Sequence, residues 1–589
     1  MDIFSSLNAQ QKEAVKHTEG PSVILAGAGS GKTRVLIHKV LHLIHDKGVN
    51  PKSIVMITFT NKAAKEMKER IAQAMGEEVT LGYVGTFHSF CCMILRRSGE
   101  HIGIPRSFVI YDQDDQKNLI NKILKKKDRK ESYRYFSHKI SEAKNQLIEP
   151  EKYLNIFAYY KAAQVADIYY EYQKQLKKNN ALDFDDLIMK AVELFRKHEE
   201  VLAMYQDRYR YLLVDEFQDT NYAQYVFTKK LAQKYKNITA VGDFSQSIYS
   251  WRGADIRNLE TFSVDFPDSK TFHLEQNYRS TQNILDFAYH VISENQSHPV
   301  LHLRTDNQAG EDVDIIETEN EEEEALQVAY TIEQLEVNGE LDAAVLYRTN
   351  AQSRAIEEVL LHRSIPYSLI GGVRFYERKE IKDVLSYLRL FLNPTDSIAT
   401  DRIKKLGKRR WQRFQEVYQS YQNNESKHAT VDLMELIFTK VGYLDKYDAN
   451  DEEDFSRLEN IRELKSVAMS FPVLSEFLEQ VALVESEYFQ GEQRGLNAGL
   501  KLMTLHQAKG LEFDHVFIVG VEEGILPHAH SIDDVFKLEE ERRLFYVGVT
   551  RAREKLYISH AKRRTIFGRK NYGVKSRFIR TGEEGDEWW

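Results

Sequence analysis

Short runs of apolar residues alternate with longer stretches of helical periodicity along much of this chain. Residues 23–25, 53–59, 211–214 and 238–243 form such runs, each bounded by polar residues. Runs of this length predict buried strands, and the three- and four-residue apolar spacing of residues 34–41 predicts a helix. Strands that alternate with helices indicate an α/β fold with a parallel sheet.

A second alternating region begins near residue 280, with predicted strands at 313–316, 343–347 and 515–520. Two stretches lose the strand pattern and are predicted to be mostly helical insertions. The predicted organisation is a first α/β domain at 1–91 and 186–279, a helical insertion in it at 92–185, a second α/β domain at 280–394 and 499–581, a helical insertion in that at 395–498, and an acidic tail at 582–589.

Composition narrows the class of protein. The 589 residues carry a net charge of −8, which argues against a uniformly basic nucleic-acid binder and leaves local patches for such binding. The two cysteines are adjacent, at 91 and 92, which makes a disulfide framework implausible. The chain has no apolar run of the roughly 18 residues that span a bilayer, and its start lacks the features of a signal peptide. We therefore expect a cytoplasmic protein without membrane association.

A glycine-rich loop lies between the first predicted strand and the first long helix. Its residues are Ala26, Gly27, Ala28, Gly29, Ser30, Gly31, Lys32 and Thr33, and Arg34 follows them. Strand, glycine loop ending in Gly-Lys-Thr and helix is the pattern of a phosphate-binding loop, in which backbone N–H groups and the helix N-terminus face the phosphates. The loop predicts a nucleoside triphosphate site, with Lys32 at the outer phosphates and the Thr33 hydroxyl on Mg²⁺. The alternative is a structural glycine turn.

Two carboxylates follow the apolar run at 211–214. In a protein with a phosphate-binding loop, Asp215 is expected to hold Mg²⁺ and Glu216 to orient and deprotonate the attacking water. The alternative is an acidic turn at the end of a strand.

The predicted strand at 238–243 leads into a loop that combines two kinds of chemistry. Gln246 is placed to sense the terminal phosphate, whereas Tyr249 and Trp251 offer faces on which bases stack. Such a loop suits the coupling of hydrolysis to movement along a strand. Near the C-terminus, residues 540–552 predict a helix that presents Arg551 to the terminal phosphate.

Ten collinear blocks resemble the UvrD/Rep/PcrA family of superfamily 1 DNA helicases. They are the Gln11 segment, AGAGSGKT, TFTNKAA, GTFHS, ALDFDD, VDEFQDT, QSIYSWRGA, EQNYRS, TLHQAKGLEF and VGVTRA. The resemblance implies two RecA-like domains, each with an inserted helical subdomain, that bind ATP and single-stranded DNA. It also implies 3′ to 5′ translocation with strand separation at duplex junctions. The insertion at 395–498 is shorter than is usual in the family.

The resemblance also assigns roles by matching positions. Gln11 and Tyr278 would hold adenine, Glu512 the ribose, and Arg279 and Arg551 the terminal phosphate. Phe59, Tyr249 and Trp251 would stack on bases. The remaining positions expected at the DNA strand are Thr60, Asn61, Thr86, His88, Thr504 and His506.

Two further stretches carry predictions of their own. Residues 563–572 predict a turn with Phe567 at an aromatic tip between basic residues, suited to capping the last base pair of a duplex. The alternative places Phe567 in a core. The acidic run 321–324 predicts a solvated start of a helix.

Two other functions compete with the helicase. One is a translocase subunit of a nuclease or defence complex that unwinds weakly alone, and the shorter second insertion favours it. The other is a nucleotide-switched binding protein, which would not need Glu216, Gln246 and Arg551 together. The expected partners are single-stranded DNA and its junctions with duplex, together with a nuclease, repair or replication protein.

Overall fold

The computed structural model describes residues 3–580 except 77–78, 130, 339–340, 423–427, 450, 483, 485–498 and 567–568. The chain forms two compact units, Met1–Arg279 with Ser293–Asn307, and Ser280–Ile292 with Gln308–Trp589. Each contains a six-stranded sheet in which every neighbouring pair is parallel. The predicted α/β class is confirmed.

The strands of the first unit form one large and two small sheets. In chain order they are β1 Ser22–Ala26, β2 Ile54–Thr58, β3 Tyr83–Thr86, β4 Val109–Tyr111, β5 Ala181–Asp183, β6 Tyr211–Val214, β7 Ile238–Gly242, β8 Lys270–Leu274, β9 Gln276–Asn277 and β10 Arg304–Thr305. The large sheet has the order β3-β2-β6-β7-β1-β8. The small sheets pair β4 with β5 and β9 with β10, both in parallel.

Helices connect these strands. They are α1 Ala9–Lys16, α2 Lys32–His45, α3 Asn61–Met75, α4 Phe87–Ser98, α5 Gln113–Lys126, α6 Tyr133–Asn145, α7 Tyr153–Ile156, α8 Ala162–Lys178, α9 Phe184–Lys197, α10 Glu199–Arg208, α11 Tyr222–Ala232 and α12 Asn258–Asp265.

Strands β1, β2 and β7 are buried along their whole length, which explains why they read as continuous apolar runs, whereas the edge strand β8 is largely exposed. Val23 and Leu25 of β1 lie in one core with residues of α4, α9 and α11. Ile24 and Ala26, which point to the opposite face, lie in a second core with residues of α2 and α3. The loops that follow the strands are thereby left at the carboxyl edge of the sheet, where α/β proteins bind ligands.

The first inserted region is mostly helical, as predicted, but it also contains two strands that the sequence pattern did not reveal. Helices α5, α6 and α8 share a core of their own. At its base, β4 pairs with β5 from Val109 opposite Ala181 to Tyr111 opposite Asp183. Lys144 at the end of α6 donates to Asp183 at 2.6 Å and lies 2.9 Å from Asp186. All three side chains are buried, so the region is fixed to the start of α9. Its predicted limits at 92 and 185 stay a prediction.

The second unit repeats the architecture. Its strands are β11 Asp314–Thr318, β12 Ala343–Tyr347, β13 Tyr367–Leu369, β14 Leu500–Thr504, β15 Phe513–Ile518, β16 Ala552–Ala561, β17 Arg563–Ile566 and β18 Arg569–Tyr572. The large sheet has the order β11-β16-β15-β12-β14-β13, and β17 pairs with β18 in an antiparallel hairpin.

The helices of this unit include those of the second inserted region. They are α13 Gln282–Ile292, α14 Glu321–Asn338, α15 Ser353–His362, α16 Lys379–Leu392, α17 Ser397–Lys405, α18 Lys408–Gln422, α19 Thr430–Leu436, α20 Glu452–Ser470 and α21 Val535–Val549. Helices α16 to α20 share one aromatic-rich core. The predicted limits of the insertion, 395 and 498, are not tested by this core, and residue 498 lies outside the described residues.

The prediction for the acidic run at 321–324 is wrong for its last member. Helix α14 does begin at Glu321, and Glu322 and Glu323 are exposed. Glu324, however, is only 2% exposed and accepts a hydrogen bond from Arg564 at 2.7 Å. Its partner lies 240 positions downstream, so the local charge pattern could not reveal the burial.

Candidate nucleotide and DNA sites

The phosphate-binding loop joins β1 to α2 and depends on two glycines with positive φ. Gly31 caps α2 in a left-handed conformation with φ of 85°, and Gly29 has φ of 65°. Ser30 stabilises the turn by donating its hydroxyl to the Gly27 carbonyl at 2.8 Å. The curled backbone leads directly into the N-terminus of α2, whose first residues are Lys32 and Thr33. This is the geometry that binds an anion through backbone N–H groups.

The segment 277–279 packs against the same loop. Asn277 donates its side-chain amide to the Ala28 carbonyl at 2.7 Å, and the Tyr278 backbone N–H donates to Gly29 at 3.0 Å. A Cβ atom at Gly29 would lie 2.8 Å from Cβ of Arg279. Only glycine fits at this position, and Arg279 is held directly beside the loop.

Gln11 also contacts the phosphate-binding loop. It is fully buried and donates its side-chain amide to the Ser30 carbonyl at 2.9 Å. It also completes the capping box of α1 with Asn8, which in turn donates to the Tyr278 hydroxyl at 2.8 Å. The Tyr278 side chain remains 43% exposed. Gln11 and Tyr278, the two residues expected at adenine, are therefore joined through one intermediate side chain.

Three carboxylates gather at the ends of β6 and β7. Asp215 is buried, and its pKa is raised to about 7 by burial and by the charge of Glu216, with Lys32 acting in the opposite direction. Burial also raises the pKa of Asp243, again opposed by Lys32. Lys32 is thus close enough to both carboxyl groups to favour their ionised forms. Negative charge exceeds positive charge among these four side chains.

Gln218 connects these carboxylates. Its side-chain amide donates to Glu216 and Asp219, and its oxygen accepts the Asp243 backbone N–H at 3.1 Å. The Gln246 side-chain amide donates to the Asp243 carboxylate at 2.7 Å. Glu216 and Gln246 are therefore linked through Gln218 and Asp243. Sequence reasoning gave Gln218 no role because its partners Asp243 and Ser247 lie 25 and 29 positions downstream, beyond the reach of a local pattern.

Replacing Gln218 with methionine should lower kcat for ATP hydrolysis by roughly 10–100-fold, because a general base displaced by about 1 Å loses this order of rate. The KM for ATP should change little, since the hydrogen bonds of Gln218 go to Glu216, Asp219, Asp243 and Ser247 and not to the phosphate-binding loop. Steady-state ATPase kinetics with saturating DNA would measure both. Gln233→Met is the control, because Gln233 is exposed at the end of α11. Equal kcat values in the two variants would contradict a positioning role.

The polar residues expected at DNA follow β2 and β3 at the carboxyl edge. Thr60 caps α3 by accepting the Ala63 N–H at 3.1 Å, and Thr86 caps α4 in a capping box with Ser89. Phe59 packs edge-on against Phe87 at 5.8 Å. The other two residues of this group are Asn61, which is exposed, and His88, whose pKa is lowered by burial.

The aromatic loop after β7 is partly exposed. Trp251 is 47% exposed and meets Tyr249 edge-on at a centroid distance of 6.4 Å. The Arg252 guanidinium lies 4.5 Å from the Trp251 ring centroid and 5.5 Å from that of Tyr249. Ser247 ties this loop to the carboxylate network by donating its hydroxyl to the Gln218 carbonyl at 3.1 Å.

In the second unit, Thr504 ends β14, and its hydroxyl donates to Gln507 at 3.0 Å. His506 is half-buried in the turn that follows. The exposed Glu512 pairs with Arg553 at 3.1 Å. Among the predicted site residues, Phe567 lies outside the described residues.

The prediction that a helix presents Arg551 is wrong in one respect. Helix α21 ends at Val549, and Arg551 follows it, immediately before β16. The side chain is almost fully buried. Its guanidinium donates to the carbonyls of Val547 at 2.8 Å and Leu511 at 3.1 Å. These bonds fix the orientation of the side chain.

Comparison with known proteins identifies the family to which the chain belongs. The sequence model of the UvrD/REP helicase N-terminal domain matches residues 7–267, and that of the UvrD-like helicase C-terminal domain matches 272–452 and 412–563. This chain belongs to the UvrD/REP helicase family. It is 43% identical to "ATP-dependent DNA helicase PcrA" of Bacillus subtilis over 98% of this chain and 86% of that protein. Proteins of the same name from Staphylococcus epidermidis and Staphylococcus aureus are 42% identical over the same shares.

Membership of this family agrees with the three groups of residues at the carboxyl edge of the first large sheet. This UvrD/REP helicase places the glycine loop, the carboxylates and the aromatic loop after β1, β6 and β7, which are neighbours in the sheet order. Among the described residues, no helix has the length and apolarity that crossing a membrane requires.

Proposed function

We propose that the chain is an ATP-dependent DNA helicase that moves 3′ to 5′ along single-stranded DNA and separates duplex strands. The observation that supports this most is the hydrogen-bonded path from Glu216 through Gln218 to Asp243 and Gln246. The Ser247 bond to Gln218 extends it to the loop that carries Tyr249 and Trp251. A change at the hydrolytic carboxylate can thereby reach the aromatic loop through direct contacts. The similar proteins of Bacillus subtilis and Staphylococcus epidermidis are named ATP-dependent DNA helicases, which agrees with this activity.

In this proposal the phosphates of ATP bind the backbone N–H groups of residues 27–33, and Lys32 neutralises their charge. Gln11 and Tyr278 hold adenine, and Glu512 holds the ribose. Arg279, Gln246 and Arg551 contact the terminal phosphate. Glu216 takes a proton from the attacking water, an assignment that suits its position two residues after the end of β6.

The donor set also fits Mg²⁺. The Glu216 and Lys32 charges act on both Asp215 and Asp243, and the raised pKa of Asp215 reflects burial beside the Glu216 charge. Mg²⁺ is a hard cation that prefers oxygen ligands. The Thr33 hydroxyl and the Asp215 carboxylate would supply two of them. When bound, Mg²⁺ neutralises phosphate charge.

Single-stranded DNA is proposed to follow the carboxyl edges of the sheets. Tyr249, Trp251 and Phe59 would stack on bases, each stack contributing about 1–3 kcal/mol. Backbone contacts are assigned to Thr60, Asn61, Thr86, His88, Thr504 and His506. Phe567 is proposed to cap the last base pair at the duplex junction. A repair, replication or nuclease protein is the proposed kind of protein partner.

The first test measures ATP hydrolysis with and without single-stranded DNA. We expect stimulation of at least about tenfold, a change that needs only about 1.4 kcal/mol of barrier, because ordering of the aromatic loop is transmitted to Glu216. Unwinding of 3′-tailed, 5′-tailed and blunt duplexes is measured on the same preparation. Efficient unwinding of the 3′-tailed duplex alone supports the helicase.

Two results would point elsewhere. DNA-stimulated hydrolysis without unwinding of any duplex would favour the translocase subunit, although the similar proteins are named as helicases. Equal hydrolysis with and without DNA would favour a nucleotide-switched binding protein.

A further inference from the structure

A buried ionic cluster lies at the base of the β17–β18 hairpin. Arg564 of β17 donates through Nη2 to Glu324 at 2.7 Å and to Glu522 at 2.7 Å, and its Nε contacts both oxygens of Glu522 at 3.1 Å. The side chains of Glu324 and Glu522 are each 2% exposed, and that of Arg564 is 10% exposed. We call these three residues the hairpin anchor.

The two carboxylates of the hairpin anchor also bind residues near the carboxyl ends of β15 and β16. The second oxygen of Glu324 accepts the Gly520 backbone N–H at 2.9 Å and the Ser559 hydroxyl at 2.8 Å. Glu522 accepts the Ala561 backbone N–H at 2.7 Å. Ser559 and Ala561 belong to β16. Each of the two carboxylates therefore binds both the large sheet and Arg564 of the hairpin.

Both arms of the hairpin have additional attachments. On the first arm, the Thr565 backbone N–H donates to Glu321 of α14 at 3.1 Å. After the second arm, the Val574 carbonyl accepts the Glu523 N–H at 2.9 Å, and Arg577 donates to Glu523 at 2.9 Å. The hairpin is thus fixed to α14 on one side and to the segment after β15 on the other.

Stability alone does not explain why charged residues are buried in the hairpin anchor. Burying three charges with a net charge of −1 carries a desolvation cost that a well-packed apolar cluster would avoid. An isolated two-stranded hairpin is only marginally stable, so without attachments its orientation would vary. Directional hydrogen bonds from a planar guanidinium define one orientation. The arrangement therefore suits an element that must keep its direction under load.

We infer that Glu324 and Glu522 are positioning residues for strand separation, which hold β17 at a fixed orientation on the second unit. The inference rests on the proposed helicase function and on the assignment of the residues between β17 and β18 to the duplex junction. Without the hairpin anchor, the hairpin would be displaced when it meets the duplex, and the base pair would stay closed. Hydrolysis and movement along single-stranded DNA use other residues and should continue.

Glu324→Gln is the test variant. Whichever way the new amide points, its NH₂ group faces a donor, either Arg564 or the Gly520 N–H. Glu322→Gln is the matched control, because Glu322 is exposed on the same helical turn and loses the same charge. DNA-stimulated ATPase, displacement of streptavidin from single-stranded DNA, unwinding of a 3′-tailed duplex and the melting temperature are compared.

We expect Glu324→Gln to unwind about tenfold more slowly per ATP hydrolysed, with ATPase and streptavidin displacement within about twofold of the parent protein. Glu322→Gln should match the parent in all four measurements. If Glu324→Gln does not fold, Arg564→Lys, which keeps the charge but loses the fork, replaces it with the same expectation.

Three results would overturn the inference. Unchanged unwinding per ATP in Glu324→Gln would show that the orientation does not depend on the anchor. Loss of all activities in proportion to the folded fraction would show a structural role alone. A parent protein that hydrolyses ATP with DNA but opens no duplex would overturn the proposed function together with the inference, and is thereby distinguished from the other two.

Discussion

Replacing Glu216 with glutamine should reduce ATP turnover by about 10²–10⁴-fold, the usual contribution of a general base. The glutamine oxygen can still accept the hydrogen bond from Gln218, so the loop after β6 should keep its structure. Binding of ATP and DNA should persist because the variant removes no group of the phosphate-binding loop or the aromatic loop. Single-turnover hydrolysis and equilibrium DNA binding measure the two effects separately.

Glu13→Gln is the control for this substitution, since Glu13 is exposed on α1. Turnover in Glu216→Gln within about threefold of the control would show that another group activates the water, because a lost general base costs far more. Loss of ATP binding would instead assign Glu216 to the nucleotide pocket.

Replacing Arg551 with lysine should lower kcat by about 10³-fold or more, the range of arginines that stabilise a transferred phosphoryl group. Lysine keeps the charge but lacks the planar fork that Arg551 uses to bond Val547 and Leu511. The new ammonium group will not be held in the same direction. Affinity for DNA should stay within a few-fold of the parent protein.

Arg553→Lys is the matched control, because Arg553 is more exposed and pairs with Glu512 and Asp514. The melting temperature of both variants separates catalysis from folding. An Arg551→Lys protein with normal kcat and a lowered melting temperature would make Arg551 a structural residue alone.

The sequence predicted the buried strands of the large sheets because burial on both faces leaves a continuous apolar run, whereas β8 and β13, which are more exposed, were not predicted. Residues 343–347 coincide with β12, and 211–214 coincide with β6. The glycine loop was also visible in the sequence, because the positive φ values at positions 29 and 31 favour glycine. The roles proposed for the site residues stay predictions.

The remaining features depend on partners far away in the chain. Strands β4 and β5 are three residues long, and Val109 and Ile110 are exposed, so no local pattern distinguished them. Glu324 is buried because Arg564 reaches it, and four consecutive glutamates suggest solvent when read locally. Helix α21 ends before Arg551 because the Arg551 carbonyl accepts the Phe513 N–H as β16 begins beside β15.

The pairing of β4 with β5 bears on how the first inserted region can change in length. Paired strands lie about 4.8 Å apart, so this pairing brings together the two ends of the stretch between them. The pairing of β4 with β5 closes that stretch into a loop. The entropic cost of closing the loop grows only slowly with its length. Residues added to the turn between α5 and α6 should leave the melting temperature of the neighbouring large sheet unchanged. Related chains can therefore gain or lose sequence there without redesign of the nucleotide-binding sheet.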